Sequence, residues 1–132
     1  MTTPLDNTFA TLGKALKALE VMVYKPMQED RGNIDACIQR FEFAVELWWK
    51  LLKRLLAARG EEEVYPKDVL RSAFRGRLID DEQAWLNMLR DRNLTSHTYD
   101  EALADQIYGR IRAYFPVMQA TYARLLSTHT HV

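Results

Sequence analysis

From Ile34 to Leu55 one apolar pattern runs unbroken. Ile34, Ile38, Phe41, Val45, Trp48, Leu52 and Leu55 follow one another in alternating steps of four and three, and Gly60 stops the run. That spacing is the period of an α-helix, and a stripe this long needs partners along about six turns. Phe43, Leu47, Trp49, Leu51 and Leu56 widen the face beyond the narrow seam of a two-stranded coiled coil. Such a helix reads as the spine of a bundle that touches several neighbours at once.

The neighbours are legible on either side. Phe9, Leu12, Leu16, Leu19 and Val23 repeat at three and four, and Pro26 closes that stripe. After a solvated run, GEEEV, Pro66 suits the first turn of a short helix whose core side is Val69, Leu70, Ala73 and Phe74, ended by Gly76. Asp80 with Gln83 resembles a capping box for the next helix, which carries Trp85, Met88, Leu89 and then Arg92 on one face. The period resumes from Leu103 through Ile107, Ile111, Tyr114 and Met118 to Leu125, where Pro116 predicts a kink and the tail STHTHV predicts fraying. With no convincing strict alternation, hairpin dipeptide or internal repeat, the chain is all-α with about five helices.

A hydrophobic content of 48% over 132 residues is enough for one domain, 1–132, with its own core. Eighteen basic against eighteen acidic residues leave no net charge, so no bulk attraction to nucleic acid or membrane is implied, and any RNA contact must be local. Cys37, the single cysteine, sits among apolar residues and predicts a buried thiol in a reducing cytoplasm. Neither a signal peptide nor an apolar run near the ~20 residues of a membrane span is visible, which predicts an unexported protein with no membrane partner.

Polar chemistry concentrates in DRNLTSHTYD, from Asp91 to Asp100. On one continuous helix, Arg92 and His97 would point roughly 140° apart, too far to share a small ligand, so a break is needed between them. Thr98 and Glu101 offer one as an S/T-x-x-E capping box, leaving NLTSH as the turn and His97 at a helix N-terminus. Backbone N–H groups there, with the Arg92 guanidinium and the Asn93 amide, would make a phosphate-sized site; Thr95 and Ser96 are further positioning candidates. The plainer alternative is that Arg92 and His97 merely satisfy helix-end carbonyls. No second ligand flanks His97, and His129 and His131 lie in a tail expected to be disordered, so neither a metal nor another cofactor is expected. Trp48 and Trp85 fall in apolar stripes as core residues, whereas Trp49 diverges and could lie at an interface. Arg71, Arg75, Arg77 and Arg90 form either a solvated face or an RNA-guiding rim.

Three stretches together, RFEFAVELWWKLLK, SAFRGRLIDDEQAWLNMLRDRNLTSHTYDEA and the helical ending, resemble the nucleotidyltransferase substrate-binding-protein family of the HEPN superfamily across about residues 5–126. Its most specific element is an arginine, four residues, a histidine, one residue and a tyrosine, matched by Arg92, His97 and Tyr99. The resemblance implies an up-and-down helical bundle that dimerises and is encoded beside a minimal nucleotidyltransferase. In the toxin–antitoxin members it implies a metal-independent ribonuclease silenced by that partner. Arg92 and His97 take the family's catalytic positions, Asn93 its usual polar position, and Tyr99 that of the side chain the partner adenylylates.

Metal-free RNA cleavage needs a base for the 2′-hydroxyl, an acid for the leaving 5′-oxygen and positive charge on phosphorus. One histidine does not easily serve as both. A two-fold dimer that joins two such turns would supply two histidines and two arginines, which predicts a composite site at a homodimer interface. The competing functions are a non-catalytic substrate- or nucleotide-binding subunit of a nucleotidyltransferase and a plain dimeric adaptor. The chain shows no strand, Gly-Ser turn and paired aspartates that would make it the transferase itself.

Overall fold

The computed structural model describes residues 2–26 and 31–130. Within them the chain forms α1 (Pro4–Val23), α2 (Gly32–Ala58), α3 (Pro66–Arg75), α4 (Glu82–Leu94), a 3₁₀ turn (Thr95–His97) and α5 (Glu101–Thr130), with no strand among the described residues. Thr3 caps α1: its Oγ1 accepts from the Asp6 N–H at 3.0 Å and the Asp6 carboxylate accepts from the Thr3 N–H at 2.8 Å. No helix among the described residues is long and apolar enough to cross a membrane.

Side chains that bond across the helices show how they run. Arg54 near the end of α2 reaches Thr8 Oγ1 near the start of α1 at 2.8 Å, while Arg40 near the start of α2 reaches Ala18 O at 2.7 Å. Tyr122 late in α5 donates to Phe9 O at 2.8 Å, and Arg112, earlier, to Val23 O at 3.1 Å. Both α2 and α5 are thus antiparallel to α1. Gly13 permits the second approach, since a Cβ there would lie 2.5 Å from the Tyr122 hydroxyl. Between these helices the core is continuous, from Leu12 and Leu19 through Phe41, Trp48 and Leu52 to Ile107, Ile111 and Met118. Trp48 and Trp85 meet edge to face at 4.8 Å between centroids, so both are core residues. Cys37 is fully buried and its thiol pKa is pushed up to about 11 by desolvation.

Several boundaries differ from those the sequence predicts. Asp81, not Asp80, caps α4, its carboxylate accepting from the Ala84 N–H at 3.0 Å, because Leu78 and Ile79 are both drawn into the core and Asp80 stays outside the cap position. Phe74 is 41% exposed, and Ser72 takes the buried place beside Ala73. Leu55 is only half-buried, while Leu51 and Leu56 are fully buried. Pro116 lies inside α5, which runs on through it. The tail does not fray where expected: α5 continues to Thr130, with the His129 ring stacked on Phe9 at 4.7 Å and its Nε2 2.5 Å from Asp6 Oδ1. His131 lies outside the described residues.

Candidate functional site

The break between Arg92 and His97 is present, but it is built differently from the expected cap. α4 runs through Leu94, and Thr95–His97 tighten into the 3₁₀ turn. Thr98 Oγ1 bonds back to Thr95 O at 2.9 Å instead of capping a helix. Asp100 does the capping: its Oδ1 accepts from the N–H groups of Ala102 and Leu103 at 3.0 and 3.3 Å. His97 therefore stands at the end of the turn, four positions before α5 begins, and Tyr99 lies ahead of that helix, not in its first turn. The positive end of α5 already holds a carboxylate, so the expected nest of free N–H groups around His97 does not form there.

Arg92 faces α2. Its Nη2 is 3.8 Å from Glu42 Oε1 and its Nε 3.6 Å from Glu46 Oε2, ion-pair distances too long for hydrogen bonds. Both carboxylates have other partners: Glu46 takes Trp49 Nε1 at 3.1 Å and lies 3.5 Å from Lys50 Nζ, and Glu42 takes the Thr95 hydroxyl at 3.0 Å. The guanidinium, 30% exposed, is thus aimed but loosely held. Thr95 is buried, with its hydroxyl shared between Glu42 and Arg92 O (2.6 Å), so it fixes the turn from inside and leaves Asn93 and Ser96 as the exposed polar groups. Trp49, engaged with Glu46 and lying 5.9 Å under Lys53 Nζ, is tied down within the chain.

His97 and Tyr99 reach the surface, their rings meeting edge-on at 6.1 Å between centroids. Tyr99 is 84% exposed, so its hydroxyl is open to solvent and the ring is not packed between helices. No hydrogen bond joins Arg92 to His97 among the described residues; Arg92 stands in the last turn of α4 and His97 ends the 3₁₀ turn that follows.

What holds the turn is a residue that sequence reasoning passed over. Asp91 is fully buried and takes Arg110 twice, at 2.7 Å to Nε and 2.8 Å to Nη2, with the Tyr114 hydroxyl donating at 2.6 Å. The pairing raises the Arg110 pKa, while desolvation, reinforced by the bond to Asp91, pushes Tyr114 up to about 12. This three-way contact joins α4 to α5 directly beneath the motif. The available signal was the position of Asp91, three residues after Met88 on the core face, where a lone carboxylate requires a partner. Glu42 and Glu46 were legible in the same way, as carboxylates one turn apart beside the α2 stripe.

A helical bundle with an arginine in the last turn of its fourth helix, and a histidine and an exposed tyrosine on the connection to its fifth, defines the class of protein. The model of the family described as nucleotidyltransferase substrate binding protein like matches residues 7–127, and the chain belongs to that family. A Haemophilus influenzae protein named probable ribonuclease HepT is 41% identical over 83 residues, covering 59% of this chain and 57% of its own length. The chain thus aligns with a little over half of that relative. A crystal structure of a Thermus thermophilus protein superimposes with a TM-score of 0.79 at 36% identity, over 86% of this chain and 98% of that one. A Haemophilus influenzae structure, described as revealing the fold of a substrate binding domain of a nucleotidyltransferase, gives a TM-score of 0.67 at 31% identity over 92% and 96%.

Proposed function

We propose that this chain is a HEPN-type endoribonuclease toxin that needs no metal and acts as a homodimer, silenced by a partner nucleotidyltransferase that adenylylates Tyr99. The observation that carries the reading is an aimed, weakly neutralised Arg92 in the last turn of α4, followed by a solvent-accessible His97 at the end of the adjoining 3₁₀ turn. Likeness to a relative named probable ribonuclease HepT supports it. In the reaction, one imidazole takes the 2′-hydroxyl proton, the 2′-oxygen attacks phosphorus, and the P–O5′ bond breaks. The departing 5′-oxygen receives a proton from the imidazolium of the second protomer, leaving a 2′,3′-cyclic phosphate. Arg92 stabilises the charge gathering on phosphorus, with Asn93 and Ser96 orienting it. Its present partners do not prevent this. Partly exposed ion pairs contribute about 0.2–1 kcal/mol, less than a bidentate charge-assisted contact to phosphate. Two half-sites solve the shortage of proton-transfer groups, and the apolar Phe43 (55% exposed), next to Glu42 on α2, supports burial of this face in a dimer.

A purified His97→Ala chain is expected to keep its helix content and lose RNA cleavage, since His97 is no part of the core. Cleavage at an undiminished rate would remove the chemistry proposed. With the partner, magnesium and ATP, the intact mass of wild type should rise by whole AMP units mapped to Tyr99, and Tyr99→Phe should escape silencing while still cutting RNA.

The second reading, a binding subunit of a nucleotidyltransferase, is favoured by the family description and by the substrate-binding fold described for the Haemophilus influenzae structure. It predicts partner binding by wild type and His97→Ala alike, with no RNA cut by either.

A further inference from the structure

Two helices of this bundle end in the same backbone closure and fill its key position differently. After α2, Gly60 N–H donates to Ala57 O at 3.0 Å and Glu61 N–H to Leu56 O at 2.9 Å, with Gly60 at φ 84°. After α3, Arg77 N–H donates to Phe74 O at 3.1 Å and Leu78 N–H to Ala73 O at 2.8 Å, with Arg77 at φ 62°. The left-handed position belongs to glycine in such closures, because a Cβ is strained there. A glycine stands one residue too early to relieve it. Gly76 makes room instead: a Cβ on it would lie 3.0 Å from Arg59 Nη1 and 3.3 Å from Ser72 O. Arg77 thus occupies a strained position, yet its side chain makes no hydrogen bond or ion pair among the described residues. Strain retained by an unpartnered charged side chain calls for a reason outside the fold.

The surroundings supply one. Arg59 Nη1 donates to Gly76 O at 2.7 Å, and Arg124 Nη2 donates to Leu78 O at 2.8 Å with its Nη1 3.5 Å from Arg77 O. These bonds hold two guanidinium groups rigidly on the turn while leaving most of their N–H donors unused. A carbonyl satisfies a donor without neutralising its charge. Among the described residues no carboxylate lies within ion-pair distance of Arg59, Arg77 or Arg124, in a chain whose charges otherwise balance. All three arginines line one depression of about 540 Å³, and Leu55, Leu78 and Leu125 give it an apolar floor. Arg77 and Arg124 also border a second depression of about 570 Å³ with Arg75, where the one carboxylate is Asp80.

We propose that the Gly76–Leu78 turn is an exosite for single-stranded RNA. One nucleotide of the strand cut at Arg92 and His97 lies in the larger depression, its phosphate against Arg77 and its base on the leucine floor between guanidinium planes. The proposal rests on the ribonuclease reading for its ligand. A nucleotide matches both halves of the depression, the cations and the apolar surface, since guanidinium groups both pair with phosphate and stack on bases. An acidic peptide would match only the charge. Measured along α2, Arg59 is about 25 Å from Glu42, a span that several nucleotides of an extended strand would bridge.

The test reads binding apart from cleavage. A fluorescent short oligouridine is titrated by anisotropy into full-length His97→Ala protein, with and without Arg77→Glu, across a range of salt. Arg77→Glu is expected to weaken binding several-fold and to lower the slope of log affinity against log salt by about 0.7, the share of one phosphate contact to a single strand. Arg77→Gly relieves the strained backbone, so it should unfold no earlier than wild type and yet bind RNA more weakly, which separates loss of contact from loss of fold. In the cleaving protein, Arg77→Glu should raise KM and leave kcat unchanged. Unchanged RNA affinity and salt slope in both Arg77 variants would overturn the exosite, including the case in which only binding of polyglutamate or of the partner protein falls. If wild type cuts no RNA but binds it through Arg77, the catalytic reading fails and the exosite stands.

Discussion

Asp91 and Arg92 are consecutive on α4 and make opposite kinds of ion pair. The Asp91 carboxylate is 0% exposed and meets Arg110 through two bonds of 2.7 and 2.8 Å, with Tyr114 satisfying a further lone pair. Arg92 is 30% exposed and lies 3.6 and 3.8 Å from carboxylates that are shared with other donors. A buried charge must be fully matched because desolvation is costly, and once matched it is fixed. A half-exposed charge at long range is oriented without being committed. One residue therefore anchors the turn and the next remains able to meet an anion.

Breaking the rigid member should have the largest effect. Asp91→Ala leaves the buried Tyr114 hydroxyl without its acceptor, while Arg110, 37% exposed, turns to solvent, so a loss of about 1–3 kcal/mol is expected from urea unfolding. A loss below about 1 kcal/mol, the range of a surface pair, would show that Asp91 is no anchor. Arg92→Ala should reverse the pattern: stability within about 1 kcal/mol of wild type, as for other partly exposed pairs, with kcat for RNA cleavage down by about 10²–10³-fold, as when a charge-stabilising donor is removed. Tyr114→Phe sharpens the comparison by taking one bond from the anchor and should cost about 1 kcal/mol. It carries a pH signature as well. Because folding raises the Tyr114 pKa to about 12 from 10, its contribution is fully present below pH 10 and lost as pH rises toward 12. Thermal unfolding of wild type across that window should show an alkaline decline that Tyr114→Phe reduces.

The break in the candidate site was legible because local periodicity carries it. The divergence of Arg92 and His97 on one helix required a break, and Thr95–His97 provide it. The cap was misassigned because Thr98 and Asp100 are both good N-caps by type. The choice fell to Asp100 once the 3₁₀ turn had engaged the Thr98 hydroxyl. Arg59, Arg77 and Arg124 were not legible as a group, since their convergence depends on how the Gly76–Leu78 turn after α3 meets Arg59 at the end of α2 and Arg124 on α5.

Spacing along the chain and side-chain type were enough for the five helices, most of their core positions, the fully buried Trp48 and Cys37, and the family. Which charges are matched was settled by how the helices pack. That packing placed Arg110 and Tyr114 on Asp91, turned Glu42 and Glu46 toward Arg92, drew the tail back so that His129 rests on Phe9 and Asp6, and left Arg77 without a partner among the described residues. Apart from the neighbouring glutamates one turn apart, these partners are separated by many residues in the chain. Whether a charge is neutralised depends on distances of a few ångströms between helices, which hydrophobic periodicity does not encode.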